Sequence, residues 1–99
     1  MDSDFKLFWT EEATRNLESI LDYLSDKWTE NELVNFKNIL SRQIRLIGKF
    51  PLIFPASTYN PRLRKAVLSK QTIIFYEVKD HFIYIVFLFN TMQNPEKVK

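Results

Sequence analysis

Four basic residues, Arg62, Arg64, Lys65 and Lys70, fall within nine consecutive positions, and Tyr59 stands just upstream. Guanidinium and ammonium groups beside an aromatic ring suit phosphate contacts with base stacking. They suit an acidic protein surface equally well. Edge strands also carry Lys and Arg for a plainer reason, because charge there discourages strand-to-strand aggregation. From the residues alone these readings stay open. A second basic group, Lys37, Arg42, Arg45 and Lys49, mostly avoids the apolar stripe of a helix, as a solvated helix face does. The chain's one histidine, His81, follows Asp80 between two apolar runs and reads as a solvated turn residue rather than a general base. Tyr76 and Glu77 are adjacent on a strand-like run, so they point to opposite faces. Glu77 is placed to pair with a base on a neighbouring strand, a contact worth under ~1 kcal/mol at a surface.

What is missing narrows the chemistry further. A single glycine excludes a Walker loop or a GxGxxG turn, both of which need several positions without a Cβ. The absence of cysteine excludes disulfides, thiolate zinc sites and cysteine nucleophiles, and one histidine leaves little for a metal site or a catalytic triad. No two carboxylates stand at a spacing that suggests glycosidase chemistry. The residues by themselves favour binding over catalysis, with no cofactor and no metal. The longest apolar run, residues 82–89, is too short to cross a bilayer, and the opening MDSDFK is acidic where a signal peptide is basic. The expectation is a cytoplasmic protein without a membrane partner.

The elements that position these residues follow from periodicity. Ninety-nine residues, 45% of them hydrophobic, make one domain over 1–99 that buries about two thirds of its unfolded surface. Residues 5–9 read as a short aromatic strand. Thr10 offers an N-cap for a helix over 11–28, whose apolar residues Ala13, Leu17, Ile20, Leu21, Leu24 and Trp28 recur at helical spacing. Thr29 and Glu32 form a capping box, and Leu33, Phe36, Leu40, Ile44 and Ile47 supply the buried stripe of a second helix. Gly48 stands where a helix end favours positive φ, and Pro51 prevents continuation. An irregular, proline-rich connection over 50–63 leads to three strands, 64–69, 72–79 and 82–89. Lys79-Asp80-His81 forms a tight turn between the last two. The last strand is apolar on both faces, which predicts a central place covered on both sides. The reading is an α+β domain: an N-terminal strand, then a two-helix hairpin packed on an antiparallel sheet that ends in a three-stranded meander.

The charge is divided along this order. Residues 1–34 carry a net −6 and residues 35–99 a net +8, which together give the overall +2. Helix N-termini favour acids, which accounts for Glu11, Glu12, Glu30 and Glu32. The basic half calls for an acidic partner.

The succession resembles the RelE/ParE superfamily of bacterial toxins from type II toxin–antitoxin pairs. The resemblance rests on Phe8-Trp9-Thr10-Glu11-Glu12-Ala13, Ile20-Leu21-Asp22-Tyr23-Leu24 with Trp28, and Ile47-Gly48-Lys49-Phe50-Pro51. It continues through Leu63-Arg64-Lys65, Ile73-Ile74-Phe75-Tyr76-Glu77-Val78, Ile83-Tyr84-Ile85 and Gln93-Asn94-Pro95. It spans nearly the whole chain and implies two helices on an antiparallel sheet. One branch, RelE-like, comprises ribosome-dependent mRNA endonucleases that use several Lys and Arg on the sheet. Here Thr72 and Ile73 stand where that branch commonly has Tyr-Arg, Tyr76 keeps the last position of the motif, Ala66 falls near another basic position, and Met92 replaces an Arg. Each such cation is worth about 2–4 kcal/mol at a developing anion, so these losses speak against a nuclease. The other branch, ParE-like (plasmid stabilization) toxins, is expected to bind DNA gyrase without cleaving RNA. A family toxin implies an antitoxin whose disordered tail wraps the helices and sheet. Arg62, Arg64, Lys65, Lys70 and Tyr76 are the candidate residues for target or antitoxin, and no residue is assigned a catalytic role. The alternatives are a RelE-like nuclease acting on the ribosome and its mRNA, and a non-toxic binding module of the same fold.

Overall fold

The structure is a computed structural model that describes residues 5–91. Its order is β1 (Lys6–Trp9), α1 (Glu11–Lys27), α2 (Glu30–Lys49), β2 (Arg64–Val67), β3 (Thr72–Lys79) and β4 (Phe82–Asn90). Met92 and the Gln93-Asn94-Pro95 segment lie outside the described residues.

Both helices start where the caps predict. Thr10 Oγ1 accepts the Ala13 N–H at 3.1 Å. Thr29 Oγ1 accepts the Glu32 N–H at 3.2 Å, while Glu32 Oε1 accepts the Thr29 N–H at 3.0 Å, completing the capping box. Only Trp28 and Thr29 separate the helices, so they fold back on each other, and the Trp28 ring meets the Phe36 ring edge-on at 5.9 Å. The end of α2 differs from expectation. The helix continues through Gly48 to Lys49, and no described glycine has positive φ. Pro51 is what stops it: a residue before proline is forced out of helical backbone, and Phe50 sits at φ −133, ψ 70.

The strand order is β1-β4-β3-β2. The meander β2-β3-β4 is antiparallel, but β1 lies parallel to β4, so the sheet is mixed rather than wholly antiparallel. Parallel neighbours need a long crossover, and the helical hairpin is part of the chain that makes it. Asp80 takes φ 57 in the two-residue turn between β3 and β4. His81 is exposed there, as expected.

The register slips once. Phe75 faces Phe87 while Tyr76 faces Ile85, so Val86 bulges from β4. The bulge shifts the alternation, and Ile83, Ile85, Leu88 and Asn90 all turn to the side covered by the helices. Ala13, Ile20, Leu24, Phe36, Leu40 and Ile47 meet Ala66, Ile74, Tyr76, Ile83, Ile85 and Leu88 in one core. The first turns of α1 then satisfy groups that β1 is too short to reach. Thr10 Oγ1 lies 2.8 Å from the Ile85 carbonyl and 2.9 Å from that of Val86, and Asn16 Oδ1 accepts the Leu88 N–H at 3.1 Å.

Candidate functional site

The expected central strand is central, but only one side of it is covered by the helices. Among the described residues no second layer lies over the other side. That side is lined by Lys6 and Phe8 of β1, Phe82, Tyr84, Phe87 and Phe89 of β4, Ile73, Phe75 and Glu77 of β3, and Lys65 and Val67 of β2. The rings cover one another in place of a helix. Phe75 stacks on Phe87 with centroids 4.6 Å apart, and Tyr59 approaches Phe75 at 6.4 Å. At the β1 end, Phe8 lies 5.8 Å from both Phe82 and Tyr84. Phe75 is only 8% exposed, whereas Phe8, Phe82 and Tyr59 remain at 44%, 39% and 76%. The face is therefore tight at its centre and open at two corners.

The five sequence candidates divide between the two sides. Lys65 is exposed and pairs with Phe75 across the strands, so it borders the aromatic centre. Arg62 reaches Glu77 at 3.9 Å on the same side, with its side chain 78% exposed. Lys70 is exposed at the turn between β2 and β3, the far end of the face from Phe8. Arg64 and Tyr76, partners across β2 and β3, turn instead beneath the proline-rich connection. Arg64 Nη1 donates to the Phe54 carbonyl at 2.5 Å and lies 3.4 Å from that of Leu52. The Tyr76 hydroxyl donates to the Pro51 carbonyl at 2.6 Å, and Phe54 meets the Tyr76 ring edge-on. Burial pushes the Tyr76 phenol up to about 12, against the opposing pull of the Arg64 charge. These two residues clamp a loop from below, and the loop presents Leu52 and Ile53 to solvent at 63% and 54% exposure.

Sequence reasoning missed that Phe8, Phe82, Tyr84 and Phe87 line an uncovered face around the buried Phe75. The sequence shows β4 apolar on both faces, and that pattern does not reveal that the second face lacks a cover. The departures from the nuclease pattern have distinct settings. Ala66 is fully buried against the helices, Thr72 is buried and its Oγ1 accepts from Asn90 Nδ2 at 3.1 Å, and Ile73 lies half-buried on the open face. Among the described residues no cluster of His, Cys, Asp or Glu is arranged to hold a metal ion. None of the described helices is long and apolar enough to cross a membrane.

A sequence model described as "ParE toxin of type II toxin-antitoxin system, parDE" matches residues 7–95. The chain belongs to the ParE toxin family. Solved ParE and related toxins share the fold at low sequence identity. The Pseudomonas aeruginosa chromosomal ParDE system gives a TM-score of 0.75 at 16% identity, covering 90% of this chain and 98% of that one. The toxin–antitoxin complex DinJ–YafQ of Escherichia coli gives 0.64 at 10%, over 92% and 97%. A copper-bound mutant toxin from Helicobacter pylori gives 0.56 at 13%, over 91% and 98%. Among curated proteins, none matches by sequence. The chain is thus a type II toxin of the ParE/RelE superfamily, and the open aromatic face with its basic border is its candidate site.

Proposed function

We propose that this ParE-family toxin arrests growth by binding DNA gyrase and that a cognate antitoxin neutralises it in the cytoplasm. The observation that carries the reading is the composition of the open face. Exposed rings at its two corners, Phe8 with Phe82 and Tyr59, with Lys65 and Arg62 at the border, form a surface for docking a protein, apolar area beside charge. Phosphoryl transfer instead needs several cations converging on one oxygen. Arg64, the nearest guanidinium in the sequence, is engaged by loop carbonyls, and Ile73 and Ala66 carry no charge. The family description names parDE, and the similar DinJ–YafQ structure is a toxin–antitoxin complex, which supports an antitoxin partner here. That antitoxin would present acidic and apolar side chains to the basic half.

The test is induction in bacteria with and without the adjacent small reading frame, read out by supercoiling and by messenger integrity. Growth arrest relieved by the antitoxin, with impaired supercoiling by purified gyrase, is expected. Unchanged supercoiling at excess toxin overturns the gyrase assignment. Messenger cleaved on translating ribosomes identifies a nuclease instead. Normal growth with abundant folded protein identifies a binding module.

A further inference from the structure

The basic side of α2 takes no part in the open aromatic face, because the helices cover the other side of the sheet. Between residues 33 and 76 the chain holds eight Lys and Arg and no Asp or Glu. Arg64 is bound to loop carbonyls and Arg62 to Glu77. On α2, Arg42, Arg45 and Lys49 are exposed, and no ion pair among the described residues meets them. They follow one another at i+3 and i+4, so they form one stripe of the helix surface, about 10 Å long. Like charges at this spacing destabilise a helix. An exposed helix ordinarily sets acids there, as α1 does with Glu11 and Arg15. Around Arg42 and Arg45 those positions hold Asn38, Ile39, Ser41, Leu46 and Gly48 instead. The helix dipole accounts for Lys49 in the last turn and fades before Arg42.

The acids of the chain lie elsewhere. Glu32 is engaged in the capping box, and it precedes Arg42 by about 15 Å of helix, beyond a Debye length of about 8 Å. On α1, Glu11 is held by Arg15, and Glu18, Asp22 and Asp26 gather with Tyr23 round a shallow depression of α1 itself. No ion pair among the described residues joins these, or Glu12, to α2. Glu77 faces the open side, and Asp80 turns the chain at the end of β3 away from Lys70. Asp2 and Asp4 precede β1, at the opposite edge of the sheet from β2, and beyond Thr91 the sequence adds Glu96 with Lys97 and Lys99. Gln43, next to Arg42, donates to the carbonyl of Val67, the last residue of β2, so the turn carrying Lys70 adds its charge at that end.

We propose that this stripe binds the phosphate backbone of duplex DNA, without regard to sequence, while the open face on the other side holds a protein. Its neighbours favour a nucleic-acid backbone over an acidic peptide. A peptide tail needs apolar area to offset its ordering. The exposed apolar side chains here are Val34, about two turns before Arg42, and Phe50, Leu52 and Ile53, past the helix end. Beside the bases stand exposed Asn35, Asn38 and Ser41, whose amides and hydroxyl donate to phosphate oxygens. A duplex is favoured over a single strand, which needs successive rings to stack on; the stripe offers none before Phe50. The choice of DNA over duplex RNA rests on the gyrase reading, since gyrase itself holds DNA.

Fluorescence anisotropy of a short, labelled, mixed-sequence DNA duplex, titrated with the purified full chain and no gyrase, tests this. Three phosphate contacts predict a log–log salt slope of about −2.7, so affinity falls about fortyfold between about 50 and 200 mM salt. Arg42→Gln with Arg45→Gln brings the slope to about −1 and leaves the melting temperature unchanged or raised. Lys65→Gln removes a charge from the open side and leaves the slope as it was. No binding at about 50 mM salt overturns the proposal. So does a slope that falls as much for Lys65→Gln, which marks net charge rather than a site. Displacement of the duplex by polyglutamate, charge for charge, assigns the stripe to an acidic protein and overturns it as well. Tighter binding to a single strand does the same, and equal or tighter binding to duplex RNA overturns the choice of DNA. Unchanged supercoiling would sink the gyrase reading alone, because this titration contains no gyrase.

Discussion

Replacing Tyr76 by Phe removes a single oxygen from a fully buried side chain and leaves its ring contacts with Phe54 in place. At neutral pH the loss has two parts. A net hydrogen bond is worth about 1 kcal/mol, and the buried Pro51 carbonyl left without its donor adds to the cost, for a total of about 1–3 kcal/mol. The alkaline range supplies a second, independent signature. The phenol rises from 10.0 to about 12 on folding. Between those values the unfolded chain releases a proton that the folded chain keeps, so stability falls as pH rises. The contribution is complete below pH 10 and is lost on passing through about 12. At about 1.4 kcal/mol per pH unit, the two-unit shift amounts to about 3 kcal/mol. Urea unfolding of both proteins from neutral pH to about pH 12 checks this, since other titrating groups cancel in the difference. Tyr76→Phe should be the weaker protein at neutral pH and should equal or surpass the unmodified chain at the alkaline end. A difference that stays constant across the range would refute the buried phenol–carbonyl contact.

Three further perturbations have defined outcomes. Gly48 lies in the last turn of α2 at negative φ, and a Cβ there meets nothing within 4 Å, so Gly48→Ala should raise stability by about 1 kcal/mol in thermal or urea melts. Thr10→Ala removes both the cap of α1 and the hydroxyl tie to β4; it should cost about 2 kcal/mol in the same melts, and Thr10→Ser should recover most of it. Arg64→Ala should destabilise the fold and speed proteolysis near residues 50–56, whereas Lys65→Ala should leave stability within about 0.5 kcal/mol and lower toxicity through the surface alone.

The caps, the helices and the meander were legible because each rests on local chemistry. Thr10, the Thr29–Glu32 box and the Asp80-His81 turn are decided within a few residues of chain. The direction of β1 was not legible, since nothing between Phe5 and Trp9 states which distant strand it joins. The bulge at Val86 was hidden for a related reason: a run apolar at nearly every position gives no alternation whose phase could be seen to slip. Among the candidate residues, the sequence marks Arg64 and Lys65 as equivalent neighbours. Strand geometry sends one beneath a loop and leaves the other at the border of the open face. Only the partner strand, with Tyr76 opposite the first and Phe75 opposite the second, separates their roles.

The tie between the start of α1 and β4 also bears on the order in which the protein can be completed. Thr10 binds the Ile85 carbonyl across 75 residues of chain, and Asn16 binds Leu88 across 72. A ribosome adds about 5–20 residues per second, so β1 and the helices emerge seconds before the strand that receives them. Contacts of such separation also form slowly once both partners exist. The unfinished chain therefore holds its helical apolar face without a sheet and its first strand without a neighbour. The surface formed by Phe8, Phe82 and Tyr84 comes into being only after β4 is made. The toxin acquires that part of its candidate site among its last acts of folding, an interval in which an antitoxin already present can meet it first.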